Sequence, residues 1–393
     1  MERLTAKNFL GIGQADLEVA KFTVIIGPQA SGKSVLAKLI HFFRRSFVSS
    51  VLELALGSRG QVWVDGYWSE QFCSYFSPLS WGDGSFELNY AVGNFSARIR
   101  RNSGAKDIEV EFDGLDGAVE EVTSRIDDGA RARQVHFALG GKYDQADSLF
   151  IPAGRSFLSI LQQNAFKIFR ENPRLDPTMW EFGAKFETYR QFYALDALES
   201  ESDPHSVQLQ VLFNLVLKGN YRRDNEQDWI DVGGRSVILS DASSGQQSVL
   251  PLLLALSSRD TRLRKLSVII EEPEAHLFPD SQRNIIRLLS LLQRRYETRF
   301  LVTTHSPYIL TALNNLIIAG DVLERLGESN AVDPDFQLRY EEVRAYTIQD
   351  GQLVSILDEE SRLIGVNVID GVSEVLSEEF DRLLRLKYSE VSA

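Results

Sequence analysis

Thr23-Val-Ile-Ile-Gly-Pro-Gln-Ala-Ser-Gly-Lys-Ser34 is the stretch from which this chain is read. Apolar, largely β-branched residues run straight into Gly27, Pro28, Gln29, Ala30, Ser31, Gly32, Lys33 and Ser34, which fit the pattern GxxxxGK[ST]. The flanks are those the pattern needs: a buried strand before it, and a helical run from Val35 to Phe43 after it. Gly27 and Gly32 let the backbone curl so that successive N–H groups point at phosphate oxygens. A helix opening at Gly32-Lys33 adds its positive dipole end to the same spot. Lys33 would place a point charge on the β- and γ-phosphates, and the Ser34 hydroxyl would bind Mg²⁺. In this context the stretch implies a cradle for a nucleoside triphosphate, not a chance glycine-rich turn.

Outward from it, two strands joined by a turn are predicted before the loop. Leu4, Ala6 and Asn8 alternate with Thr5, Lys7 and Phe9, and Gly11 and Gly13 punctuate the turn. After the loop, apolar residues at helical spacing predict one helix to about Leu56, ended by Gly57-Ser-Arg-Gly60. Residues 61–125 read as a half-exposed antiparallel sheet. Gly93-Asn94 separates two strand-like runs, and Ile108 to Phe112 alternates strictly. The aromatics Trp63, Tyr67, Trp68, Phe72, Tyr75, Phe76 and Trp81 read as core or interface, with base stacking as the alternative. Leu149 to Ser156 predicts a short buried strand, a turn and a helix. Residues 157–218 are mainly helical, broken by Pro173, Pro177 and Pro204. Asn220 to Asp231 reads as a polar loop, Ala345 to Ile356 as a closing hairpin and Val372 to Leu386 as a terminal helix. The chain then divides into a nucleotide-binding core (1–60 and 236–393), an antiparallel β subdomain (61–148) and a helical insertion (149–235).

Three later stretches carry chemistry. Leu239-Ser-Asp-Ala-Ser-Ser-Gly-Gln-Gln-Ser248 is a serine- and glycine-rich turn that opens a helix. Such a turn makes a second anion-binding helix terminus, or simply caps a helix. Leu266-Ser-Val-Ile-Ile-Glu-Glu-Pro-Glu-Ala-His-Leu-Phe-Pro279 delivers Glu271 and Glu272 at the C-terminal end of a strand, where α/β sheets place their ligands. Glu271 would hold Mg²⁺ through water, and Glu272 would orient or deprotonate an attacking water. Phe300-Leu-Val-Thr-Thr-His-Ser-Pro307 ends another apolar strand in His305, which would contact the γ-phosphate or that water. Glu272 and His305 are thus the catalytic candidates, and Ser34 and Glu271 the metal ligands.

The net charge of −13 over 393 residues argues against indiscriminate coating of nucleic acid. Arginines still cluster, at Arg98, Arg100 and Arg101, at Arg259, Arg262, Arg264 and Lys265, and at Arg283, Arg287, Arg294, Arg295 and Arg299. Each cluster is either a solvated face or a local basic groove. A single cysteine, Cys73, excludes an intramolecular disulfide. The N-terminus lacks a signal-peptide core, and no apolar run has the length to span a bilayer. The expectation is a cytoplasmic protein with no membrane partner.

Taken in order, these stretches resemble the ABC-type ATPase head of the SMC, Rad50, RecF and OLD group. Gly27 to Ser34 matches the Walker A motif. Ala242-Ser-Ser-Gly-Gln246 looks like the LSGGQ signature, with Ser243 and Gly245 at its key places. Ile270 to Leu277 matches the extended Walker B motif, and Thr304-His305 the switch histidine. Glu271 stands where most ABC proteins have aspartate. Glu-Glu-Pro-Glu-Ala-His makes the stand-alone OLD-like (AAA15/AAA21-type) ATPases of bacterial anti-phage systems the better match within that group. Ala242 and Ser244 depart from the signature, and for the Q-loop glutamine only Gln145 offers itself.

The resemblance implies an α/β fold: an ABC-ATPase head with a P-loop core sheet, an antiparallel β subdomain and an inserted helical region without a long coiled coil. It implies ATP and Mg²⁺, and hydrolysis to ADP and phosphate. It also implies a homodimer or higher even oligomer, in which the signature of one head closes over the ATP of the other. About ninety residues follow His305, too few for an added nuclease domain. The expected partner is therefore a separate effector, a nuclease or toxin. Nucleic acid stays open as a ligand. A RecF-like DNA-repair ATPase is the first alternative, and an ATP-binding scaffold with negligible turnover the second.

Overall fold

The computed structural model describes residues 2–57, 59–125, 148–160, 176–200, 204–258, 266–327, 333–365 and 380–383. Strand β3 (Phe22–Ile26) is buried at every residue, the pattern of a strand covered on both faces. It lies inside an 11-stranded sheet. On one side follow β12 (Arg299–Thr304), β11 (Ser267–Glu271) and β7 (Ser148–Ile151), all parallel to it. On the other side stands β13 (Val343–Gln349), also parallel, with β14 (Gln352–Ser355) folded back on it. Beyond β14 the sheet continues through β2 (Ile12–Val19), which is parallel to β14, and then β1 (Glu2–Phe9), β4 (Phe86–Val92), β5 (Phe95–Arg101) and β6 (Glu109–Asp113), paired antiparallel in turn.

Helices cover both faces. On one face α1 (Lys33–Ala55), α2 (Gln61–Tyr75) and α3 (Leu115–Thr123) bury a core that includes Phe42, Phe43, Trp68, Phe72 and Ile269. On the other, α4 (Ser156–Ile160), α5 (Pro177–Ser200), α6 (Pro204–Leu217), α7 (Ser244–Ser257), α8 (Pro279–Tyr296) and α9 (Pro307–Leu326) pack over a core that includes Val24, Phe213, Leu253, Val268 and Leu289. Val24 and Val268 face one core while Ile25 and Ile269 face the other, which is the period-two alternation of strands read between two helical layers. The α/β architecture is the expected one, and no long coiled coil occurs among the described residues. Nor, among them, is any helix long and apolar enough to cross a membrane.

Two expectations are corrected. Residues 61–75, placed in the antiparallel region, form a helix. Val64, Trp68 and Phe72 are fully buried at a spacing of four, but Trp63 and Tyr67 sit on another side and blur the period. Residues 220–231, read as a loop, are β8 (Asn220–Asp224) and β9 (Gln227–Val232) of a small sheet completed by β10 (Arg235–Ile238). Their charges disguise the strands. Buried Asp228 accepts hydrogen bonds from Arg190 at 2.7 Å and from the Tyr221 hydroxyl at 2.6 Å. The closing hairpin is observed as β13 and β14. Of the terminal helix, residues 380–383 are helical and the rest lies outside the described residues.

Candidate functional site

Parallel register brings the ends of four strands side by side. Ile26 is opposite Thr304, Thr303 opposite Glu271, and Ile270 opposite Ile151. The residues that follow these ends are Gly27, His305, Glu272 and Pro152. Four segments separated in sequence thus meet along the carboxyl edge of the sheet, where ligands of open α/β sheets bind.

The phosphate loop is shaped by glycine. Gly32 has φ +104°, a conformation that strains any side chain, and a Cβ there would also push on Ile12 Cδ1 from 2.3 Å, so the position favours glycine. Ala30 also lies in the left-handed region, at φ +61°. Helix α1 begins at Lys33 without a side-chain cap, so its first N–H groups keep their donors for the loop's occupant. Pro28, Gln29, Ala30 and Ser34 are exposed, while Gly27, Ser31 and Gly32 are half-buried. The Lys33 side chain is buried. Its Nζ donates to Gly27 O at 2.8 Å and to Pro28 O at 2.7 Å, and lies 3.4 Å from His305 Nδ1. Burial pulls the Lys33 pKa down, with Glu272 and Glu274 acting against that fall.

The two acids differ. Glu271 is 5% exposed. Its Oε2 accepts from Ala153 N at 3.2 Å, while its Oε1 is buried with no hydrogen-bond partner among the described residues. Burial raises its pKa, and the Ser34 hydroxyl, Lys38 and the Ala153 N–H oppose the rise. A partnerless carboxylate oxygen beside a hydroxyl suits Mg²⁺, which takes one or two protein oxygens and keeps several waters. Among the described residues no group of three or more His, Cys, Asp and Glu is placed to hold a metal. Glu272 is half-exposed and left-handed, at φ +45°. Its Oε1 lies 3.1 Å from His305 Nε2, so His305 stands between Lys33 and Glu272.

Sequence reading gave no role to Glu274 or Arg155, and both belong to the site. Glu274 Oε1 accepts from Thr304 Oγ1 and from His305 N, each at 2.7 Å, and so holds the His305 segment. Arg155 is wholly buried and donates to the carbonyls of Glu271 and Glu272. The signal available for each is a charge embedded in a proline-containing turn at a strand end.

Ser243 and Gly245 stand apart from this group. Ser243 Oγ accepts from Gln246 N at 3.3 Å, and Gln246 Oε1 accepts from Ser243 N at 3.2 Å, a closed capping box at the start of α7. Gln246 Nε2 donates to Leu217 O at 3.2 Å. A Cβ on Gly245 would lie 2.8 Å from His276 O. None of these hydrogen bonds runs to the phosphate loop. Gln145, the Q-loop candidate, lies outside the described residues.

Of the arginine clusters, the first is accounted for by its neighbours. Arg98 bonds Asn89 and pairs with Glu87 and Glu111, Arg100 pairs with Glu109 and Glu111, and Arg101 donates to backbone carbonyls of Gly82 and Ala105. In the third, Arg287 lies over the Phe336 ring and Arg295 pairs with Asp335. Residues 259–265 lie outside the described residues.

A P-loop at the end of one parallel strand, with an acid pair and a histidine at the ends of its neighbours, defines a nucleotide-binding ATPase of the P-loop class. The chain belongs to the family described as "AAA domain, putative AbiEii toxin, Type IV TA system", which matches residues 22–311. No curated protein matches the chain. Among solved structures it is similar to an Smc head bound to the C-winged helix domain of ScpA, with 13% identity, a TM-score of 0.45, and coverage of 91% of this chain and 98% of that one. It is also similar to an Smc head with an extended coiled coil, bound to the C-terminal domain of ScpA, from Pyrococcus furiosus (12% identity, TM-score 0.42, 96% and 99% covered). A third is an SMC head from Thermotoga maritima (14% identity, TM-score 0.38, 90% and 97% covered).

Proposed function

We propose that this chain is a Mg²⁺-dependent ATPase that hydrolyses ATP to ADP and phosphate, dimerises on ATP, and controls a separate effector, a nuclease or toxin, in bacterial anti-phage defence. The observation that carries the reading is the line Lys33, His305, Glu272, with contacts of 3.4 Å and 3.1 Å. In this reading Gly27 to Ser34 wraps the phosphates. Lys33 exchanges two loop carbonyls for phosphate oxygens, a stronger, charge-assisted pairing. Ser34 and Glu271 hold Mg²⁺, which when bound neutralises charge on the phosphates. Glu272 accepts a proton from the attacking water, and His305 stabilises charge at the γ-phosphate while keeping Glu272 oriented. Ser243 and Gly245 are tied to their own neighbours, so a second copy of the chain is what would bring them over a bound nucleotide. The effector role draws on the family description, which names a putative toxin and a toxin–antitoxin system, and on the resemblance drawn from the motifs.

The test is Glu272→Gln. It is expected to bind Mg²⁺-ATP, to lose turnover by about 100-fold or more, and to sediment as a dimer in ATP. Normal turnover would remove Glu272 from the role of base, and a monomer in ATP would remove the dimer. The same tagged variant, purified from its host with ATP and Mg²⁺, is expected to retain a stoichiometric nuclease or toxin. Nucleic acid alone, released by salt, would favour the DNA-repair alternative.

A further inference from the structure

We propose that Arg155 is a positioning residue for the hydrolytic step, one that fixes the main chain at Glu272 and ties it to α7. The proposal rests on the reading of Glu272 as the base. Its geometry starts from a proline. Pro251 lies inside α7 and has no N–H to give the carbonyl four residues back. That carbonyl, Gln247 O, instead accepts from Ser159 Oγ at 2.7 Å. The next one, Ser248 O, accepts from Arg155 Nε at 2.9 Å. The same guanidinium then reaches the catalytic edge. Nη1 donates to Glu271 O at 2.7 Å and to Pro152 O at 3.1 Å, and Nη2 donates to Glu272 O at 2.9 Å.

All four acceptors are backbone carbonyls. Burial pushes the Arg155 pKa down to about 10, with Glu274, Glu272 and Glu271 working against that fall. A buried cation held by carbonyls is a costly way to fill space, which an apolar side chain would fill without that cost. What the guanidinium adds is a rigid planar fork that joins three pieces of main chain in one geometry.

That geometry matters at Glu272. A left-handed non-glycine residue persists only where its surroundings over-determine it. Glu272 N donates to Thr303 O at 2.9 Å, and Arg155 takes its carbonyl. Pinned on both sides, the residue carries its carboxylate to His305. Ser243 caps α7 and Gly245 lies in its first turn, just before the Ser248 carbonyl that Arg155 holds, so a displacement of this end of α7 reaches Glu272 through one side chain.

Arg155→Lys and Arg155→Met test this, with Ser159→Ala as a milder break of the same tie. Three readings are taken on each: Mg²⁺-ATP affinity, kcat against KM, and amide exchange over residues 271–275 without nucleotide. Both Arg155 variants are expected to bind ATP within about threefold of the parent and to lose about 30-fold or more in kcat. Their Glu272 amide is expected to exchange about tenfold faster, and Ser159→Ala is expected to lose about threefold in kcat alone. Unchanged kcat, unchanged Glu272 exchange, or a kcat loss matched by an equal loss of binding would overturn the proposal. If Arg155→Met fails to fold, Arg155→Lys and Ser159→Ala decide on the same readings. A parent protein that binds ATP without turnover would overturn the hydrolytic reading instead, and amide exchange would still decide the role of Arg155.

Discussion

Two helix starts in this protein use similar residues and are built in opposite ways. Helix α1 opens at Lys33 with no side-chain cap, behind a left-handed Gly32. Helix α7 opens at Ser244, within Ala-Ser-Ser-Gly-Gln, behind Ser243 and with a closed capping box. The first leaves its N–H donors open, and Lys33 satisfies itself meanwhile on two loop carbonyls. The second has already paired its own cap, so it is stable without a ligand. One start is shaped to be completed by an occupant, and the other can stand open until something else arrives. The largest expected effect breaks the first. Lys33→Ala is expected to weaken ATP binding by about 100-fold or more, measured by titration of a fluorescent nucleotide. Retained affinity would undo the assignment of the loop.

Proton linkage sharpens the contrast. The capping box is closed by Gln246, which does not titrate. At the phosphate loop, burial raises the Glu271 pKa above its ordinary 4.5. A raised carboxyl pKa means the proton is held to higher pH, and Mg²⁺ must displace it. Mg²⁺-dependent ATP affinity is therefore expected to fall on acidification while the pH is still above the usual glutamate range. Glu271→Gln is expected to bind weakly and flatten that dependence, as isothermal titration across pH 5–8 would report. A slope surviving in Glu271→Gln would assign the proton elsewhere.

The difference between the two starts also marks what the sequence can carry. The phosphate loop is legible because its residues are contiguous and their order alone dictates the backbone. The acids and His305 are legible as strand ends, since apolar runs stop at them. Their adjacency is not, because the pairing of β3 with β12 and of β12 with β11 is a matter of topology. Arg155 was illegible for the same reason, its acceptors Glu271 and Glu272 lying 116 and 117 residues away. At Ser243 the residues permit both a cap and an anion site, and only the fold states that Gln246 turns back to close the box. Where tertiary contacts override local pattern, as in the aromatic helix α2 and the charged hairpin of β8 and β9, single-sequence reading fails for lack of a clean period.

A middle-sized effect probes the second start from its back. Gly245 packs against the turn after the acid pair, and a Cβ there would come within 2.8 Å of His276 O. That neighbour is backbone, itself left-handed at His276 φ +62°, so it yields only with the turn. Gly245→Ala is expected to leave ATP affinity intact and to lower turnover by about tenfold. A change in affinity instead would mean the two starts are coupled within one chain.

The smallest effect separates a cap from a ligand site. Ser243→Ala removes one acceptor of the box and is expected to cost about 1 kcal/mol, a small drop in Tm for a chain of this size. Alanine alone leaves the question open, because a destabilised helix start and a lost phosphate contact both lower turnover. Ser243→Asp resolves it. Aspartate caps as well as serine, and the positive end of α7 favours its charge. The same charge would repel a phosphate brought over the turn by a second copy. The expected result is a Tm restored to that of the parent with turnover still lost. If aspartate restores both, the turn is a cap and nothing more, and the dimer reading loses the contact on which it depends.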